Sequence, residues 1–193
     1  MTVNNGIVLN ADLNVAGNND LALGGVISGA AALNKNGLAD LTLSGTNTFT
    51  GALNVLSGSV TTASAGALGN TSGANVSAGA SLIMGSDASL ATLAGSGDVL
   101  VSGSNTLSVG GLNSTSTFDG GLSGSGALAK VGTGTLNLTG INGLTGDTNV
   151  NAGTLNLSGS LGSANVNVNT GGGPPRARPG GGAGPPPRPP PPP

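Results

Sequence analysis

Residues 27–60 read ISGAAALNKNGLADLTLSGTNTFTGALNVLSGSV, and residues 122–155 read LSGSGALAKVGTGTLNLTGINGLTGDTNVNAGTL. Laid over each other without a gap, they agree at 15 of 34 positions, 95 residues apart. A gapless internal repeat means that the same local unit is built twice. Units that recur at a fixed spacing bury their apolar faces against one another in repeat architectures.

The unit alternates. Ile7, Leu9, Ala11, Leu13 and Val15 stand at every second position, and so do Val76, Ala78, Ala80, Leu82 and Met84. Shorter pairs follow the same rule: Leu41 and Leu43, Val99 and Val101, Leu107 and Val109, Leu136 and Leu138, Leu155 and Leu157, Val166 and Val168. Period-two alternation puts one set of side chains on each face of a strand. Gly, Asn, Ser and Asp interrupt it every few residues, as turns require. Glycine is too frequent for long helices. A disordered chain is the competing reading, but such chains are poor in aliphatic residues, and here the aliphatics recur in phase.

A sandwich or barrel needs a thick core, usually with aromatic residues. This chain has two Phe, Phe49 and Phe118, and no Tyr or Trp. A small aliphatic inward set suits a narrow tube of coils stacked at about 4.8 Å. Matching strands recur at coil-like intervals, Val55 to Val76 and Val150 to Val168. The expected fold is all-β, a right-handed parallel β-helix of roughly eight coils with about 20 residues in each. No amphipathic capping helix is evident at either end, so the open strand edges predict end-to-end self-association.

Charge divides the chain. Residues 1–170 hold two Lys and seven Asp, whereas all three Arg and all eleven Pro lie from residue 174 onward. We therefore expect a β-helical body over 1–170 and a disordered low-complexity tail over 171–193. The tail contains only Gly, Pro, Arg and Ala. An out-of-frame reading of GC-rich DNA and a stiff Pro-rich linker both account for it. Either way Pro offers no backbone donor to a β ladder. No signal peptide and no apolar span of membrane length is visible. The acidic body, nearly devoid of aromatics, argues against a nucleic-acid partner.

Candidate chemistry is sparse. There is no His or Cys for nucleophilic or general-base work. Asp87 with Asp98, or Asp119 with Asp147, form the pairs that glycoside hydrolysis would need at about 5–9.5 Å. Each of these four sits in a turn context, and turn-making is the commoner role of such Asp. Lys35 and Lys130 occupy equivalent repeat positions. They read as solvated or turn-capping residues rather than as ligands for a substrate. No catalytic, cofactor-binding or metal-binding residue is assigned.

The repeat itself resembles a known one. In the second copy Gly124, Leu128, Lys130, Gly132, Gly134, Leu136, Leu138, Gly140, Asn142, Thr145, Gly146, Val150, Gly153 and Leu155 follow the passenger-associated repeat of bacterial autotransporters. The first copy supplies Gly29, Leu33, Lys35, Gly37, Leu41, Leu43, Gly45, Asn47, Thr48, Phe49, Thr50, Gly51, Val55 and Gly58. It departs at Ala39 and Val60, and the second copy has Leu144 where the aromatic is expected. The resemblance implies a non-enzymatic structural stalk, exported by type V secretion through an outer-membrane translocator barrel that this chain lacks. It also implies cell-surface display and an adhesive role toward a host-surface or glycan ligand. Alternatives are a carbohydrate-active β-helix enzyme and a gene remnant without independent function.

Overall fold

The computed structural model describes residues 1–171. The tail expected from residue 171 lies, past Gly171, outside the described residues. Among those described there is no helix, and 23 strands of two to four residues, β1 to β23 in chain order, wind into a three-sided solenoid. Every strand pairing is parallel.

Face 1 stacks β1 (Thr2–Val3), β4 (Leu21–Leu23), β7 (Asp40–Leu43), β9 (Ser59–Thr62), β11 (Ser81–Met84), β14 (Asp98–Val101), β17 (Gly121–Gly124) and β20 (Asn142–Leu144). A bridge from Asn142 to Leu161 adds a ninth rung. Face 2 begins with β2 (Ile7–Leu9) and β5 (Ile27–Gly29). It resumes with β12 (Ala88–Leu90), β15 (Thr106–Val109), β18 (Ala127–Lys130), β21 (Thr148–Val150) and β23 (Val166–Val168). Face 3 stacks β3 (Leu13–Val15), β6 (Leu33–Lys35), β8 (Leu53–Val55), β10 (Ala74–Val76), β13 (Leu93–Gly95), β16 (Ser116–Phe118), β19 (Thr135–Leu138) and β22 (Thr154–Leu157). Val55 pairs with Val76 and Val150 with Val168, as the spacing predicts.

A typical strand has two inward residues flanking one outward residue, as in Leu53-Asn54-Val55. The inward residues form columns: Leu33 lies on Leu53, Leu53 on Ala74, Ala74 on Leu93. Phe49, Phe118 and Met84 fill the tube where aliphatics leave room, and all three are fully buried. Burying each such side chain is worth about 1.5–3 kcal/mol, which lets a chain with so few charges and aromatics build a core.

Two details differ from the sequence reading. The alternating runs 7–15 and 74–84 are each two strands on different faces. The alternation carries on through corners where Ala11 and Ala78 point into solvent. Face 2 is also interrupted. Residues 46–50 bond to the carbonyls of Ile27 and Gly29, and residues 65–70 then form a run of turns. That turn still supplies the core, because Ala67 and Leu68 are buried.

The largest surprise is the phase of the repeat. Leu33 and Leu128 are equivalent in sequence, yet Leu33 lies on face 3 and Leu128 on face 2. Leu41 lies on face 1, and its equivalent Leu136 on face 3. Ninety-five residues therefore advance the chain by four coils and two further faces. The second copy is the first one rotated by a third of a turn. Three faces that accept one motif must be close to equivalent in shape.

Candidate functional surface

The two lysines are the most unusual residues of the body. In the series Leu13-Asn14-Val15, Leu33-Asn34-Lys35, Leu53-Asn54-Val55, lysine takes an inward seat that valine holds in the coils on either side. Lys130 likewise sits between Val109 and Val150. Lys35 is 2% exposed and Lys130 1%. Each side chain runs along the wall of the core, and its ammonium emerges at a corner. There Lys35 Nζ donates to the carbonyls of Gly37 and, at 3.2 Å, Ser57. Lys130 Nζ donates to Val131 (2.6 Å), Gly132 (2.8 Å) and Ala152 (3.2 Å).

Gly37 and Gly132 are repeat equivalents, as are Ser57 and Ala152. One device is thus built twice, at the corner between faces 3 and 1 and again at the corner between faces 2 and 3. It ties the corner carbonyl of its own coil to that of the next coil. Burial lowers the pKa of both lysines; for Lys35 the nearby carboxylates of Asp40 and Asp20 oppose this. The turn-capping reading of these residues is the right one, and the solvated reading is not. The signal was present in the sequence as a lysine in phase with a Leu-x-Val column.

The carboxylates are also committed to corners. Asp12 accepts from the backbone N–H of Ala32 (2.9 Å), Asp20 from that of Asp40 (3.0 Å) and Asp87 from that of Thr106 (2.8 Å). Asp40 accepts from Ser59 (2.5 Å), Asp119 from Thr139 (2.5 Å) and Asp147 from Asn165 (2.8 Å). Each bond spans one coil. The pairs considered for glycoside hydrolysis are not brought together. Asp98 and Asp119 lie at the entry edge of face 1, Asp87 and Asp147 beyond its exit edge. At about 3.3 Å per residue, roughly 10 Å of strand separates the two edges. Among the described residues no three potential metal-binding side chains cluster. A shallow depression of about 280 Å³, lined by Ala65, Asp87, Ala88, Ser89, Thr106 and Ser108, lies where face 2 resumes after the turn.

What the solenoid offers to its surroundings is a set of amide ladders. On face 3 Asn34 donates to Asn14 (3.1 Å), Asn54 to Asn34 (2.8 Å), Asn137 to Thr117 (3.1 Å) and Asn156 to Asn137 (2.9 Å). On face 2 Asn167 donates to Asn149 (3.0 Å). In each bond the later coil donates and the earlier accepts, so the ladders have a direction. The outer surface is polar, uncharged along these columns and regular at the strand spacing of about 4.8 Å.

The described residues thus form a tube of short parallel strands with amide ladders on its outer surface, and comparison with known proteins places that tube in a family. The Passenger-associated-transport-repeat family matches residues 33–68 and 128–157, each match opening on the leucine two residues before the corner lysine. The chain is also 39% identical over 137 residues, 70% of its length, to the Adhesin BmaC autotransporter of Brucella suis biovar 1 (strain 1330). It spans about 4% of the length of that relative. No solved structure matches. The chain is an autotransporter passenger domain with passenger-associated repeats.

Proposed function

We propose that this domain is a non-enzymatic, adhesive stalk displayed at the outer surface of a bacterial outer membrane. The observation that carries the reading is how the charged side chains are used. Lys35, Lys130 and six of the seven aspartates are bonded across coils or at corners. That leaves the chemistry of the body invested in holding its shape. The named adhesin among its relatives supports an adhesive role, and the polar ladders are the surface through which a glycan or host protein would be met.

The test is display. The domain, joined to a secretion signal and a translocator barrel, should become accessible to external protease and antibody. It should raise cell attachment to immobilised host glycans or matrix proteins above a barrel-only control. Purified protein should release no reducing ends from a polysaccharide panel. Release of sugar that is lost in Asp87→Asn or Asp119→Asn would overturn the non-enzymatic reading, and attachment no better than the control would overturn the adhesive one.

A further inference from the structure

Face 2 has a break in its ladder midway along the tube. The turn at 65–70 is tied to the coil before it: the Gly66 carbonyl accepts from the N–H of Asn47, and the N–H of Asn70 donates to the carbonyl of Phe49. Among the described residues no backbone bond joins this turn to residues 87–91 in the coil after it. β12 is accordingly the terminal strand of its sheet and pairs with β15 alone. In a parallel ladder successive residues direct their N–H and C=O to opposite neighbours. Leu90 gives its carbonyl to the N–H of Gly110 in the next coil. Ser89, one residue earlier, therefore turns both its backbone groups toward the break, and it is exposed. A strand edge one residue long is left open in the wall of the tube.

The shallow depression of about 280 Å³ lies at this break, with Ala65 on one rim and Asp87, Ser89, Thr106 and Ser108 around it. Asp87 spends Oδ1 on the N–H of Thr106 (2.8 Å), and among the described residues no donor reaches its Oδ2. The hydroxyls of Ser89, Thr106 and Ser108 make no hydrogen bond within the described residues either. The ladder amides differ, because they are bonded to one another along their column. The hollow thus gathers a carboxylate oxygen, three hydroxyls and a peptide N–H and C=O, all available to a ligand. Its composition is selective. It holds no cation to receive a phosphate, sulfate or carboxylate. The methyls of Ala65 and Ala88 are too little apolar surface for a lipid or an apolar peptide. One residue of open edge is too short to add a strand to. A compact neutral ligand that carries both donors and acceptors matches the set, and the volume, just under the roughly 300–1,000 Å³ of ordinary ligand pockets, suits a single ring. We infer that this depression binds a neutral sugar residue of a glycan, with Asp87 Oδ2 accepting from a ring hydroxyl and the Ser89 N–H donating to a sugar oxygen. The inference rests on the adhesive reading above and narrows its glycan contact from the polar surface at large to one hollow.

The test is a titration of the full chain, isotopically labelled, with glucose, galactose, mannose, fucose, N-acetylglucosamine and N-acetylgalactosamine in turn. At least one of them should move the amide signals of Ser89, Thr106 and Ser108 along a saturable curve. Asp87→Asn keeps an acceptor for the Thr106 N–H and removes the charged oxygen, so binding should weaken about tenfold. Ser89→Val/Ser108→Val fills the hollow from two outward strand positions that suit β-branched residues; it should abolish binding at an unchanged urea midpoint. No saturable shift with any of these sugars, shifts confined to other residues, or binding undiminished in both variants would each overturn the site. Surface display separates this result from the adhesive reading. Attachment that survives Ser89→Val/Ser108→Val keeps adhesion and overturns this site as its source. A domain that binds sugar at the depression and still gives no attachment supports the site and overturns the adhesive reading.

Discussion

At the scale of single residues, the corner lysines set the terms. A largely buried ammonium is costly unless its donors find partners, and here backbone carbonyls of two coils accept from it at the corner. Replacing Lys35 or Lys130 by Met keeps the stem and removes the donors, so those carbonyls lose their partner. The expected loss is about 1–3 kcal/mol for each, read as a lower urea midpoint at unchanged slope. Protonation gives an independent readout. Burial lowers the folded-state pKa of both lysines below their ordinary value of 10.5. Between the lowered value and 10.5 the unfolded chain binds more protons than the folded one, so raising the pH through that window favours folding. The chain has no Cys or Tyr to titrate there. Stability should therefore rise toward pH 10.5, and the rise should vanish in the double Lys→Met variant. A profile that is flat or falling in the wild type would contradict the burial of these groups.

At the scale of strands and corners, the glycines of the repeat separate two costs. Gly58 and its equivalent Gly153 both have φ of +67°, in the left-handed region. A Cβ on Gly58 would lie 2.6 Å from the carbonyl oxygens of Gly37 and Leu38 in the preceding coil. Gly79 has φ of +78° but open space around it. Gly79→Ala should lose only the backbone term, about 1–2 kcal/mol, and Gly58→Ala should lose clearly more in the same denaturation assay. Equal losses would mean that coil spacing at that corner is loose.

Strands and their pairing were legible in the sequence because inward and outward residues alternate so regularly. Corners were not. Ala11 and Ala78 keep the alternation going where the chain turns, so two strands read as one. The turn at 65–70 was hidden because Ala67 and Leu68 still reach the core. Lys35 and Lys130 could be placed at a turn by their repeat position, and their phase with the valine columns marks an inward seat, but a charged residue is ordinarily read as solvated. A lone charge in a sequence gives no sign of the carbonyls that another coil will bring to it.

At the scale of the molecule, each coil touches only its neighbours, so stability is a sum along the axis rather than the property of a single core. The middle coils have two such neighbours and the end coils one. Amide exchange should be slowest around Leu82–Met84 and fastest at Leu13–Val15 and Val166–Val168, with a graded change between them. Uniform protection would mean that the tube unfolds as one unit. The third-of-a-turn offset between the repeats bears on how such a gene changes length. If whole coils were the unit of growth, most insertions and deletions would leave a face unfilled. With interchangeable faces, the step is a single strand and its corner, roughly a third of the approximately 20 residues in a coil. A tube that gains or loses one such step would still close, so its length can in principle change in increments finer than the spacing of its coils.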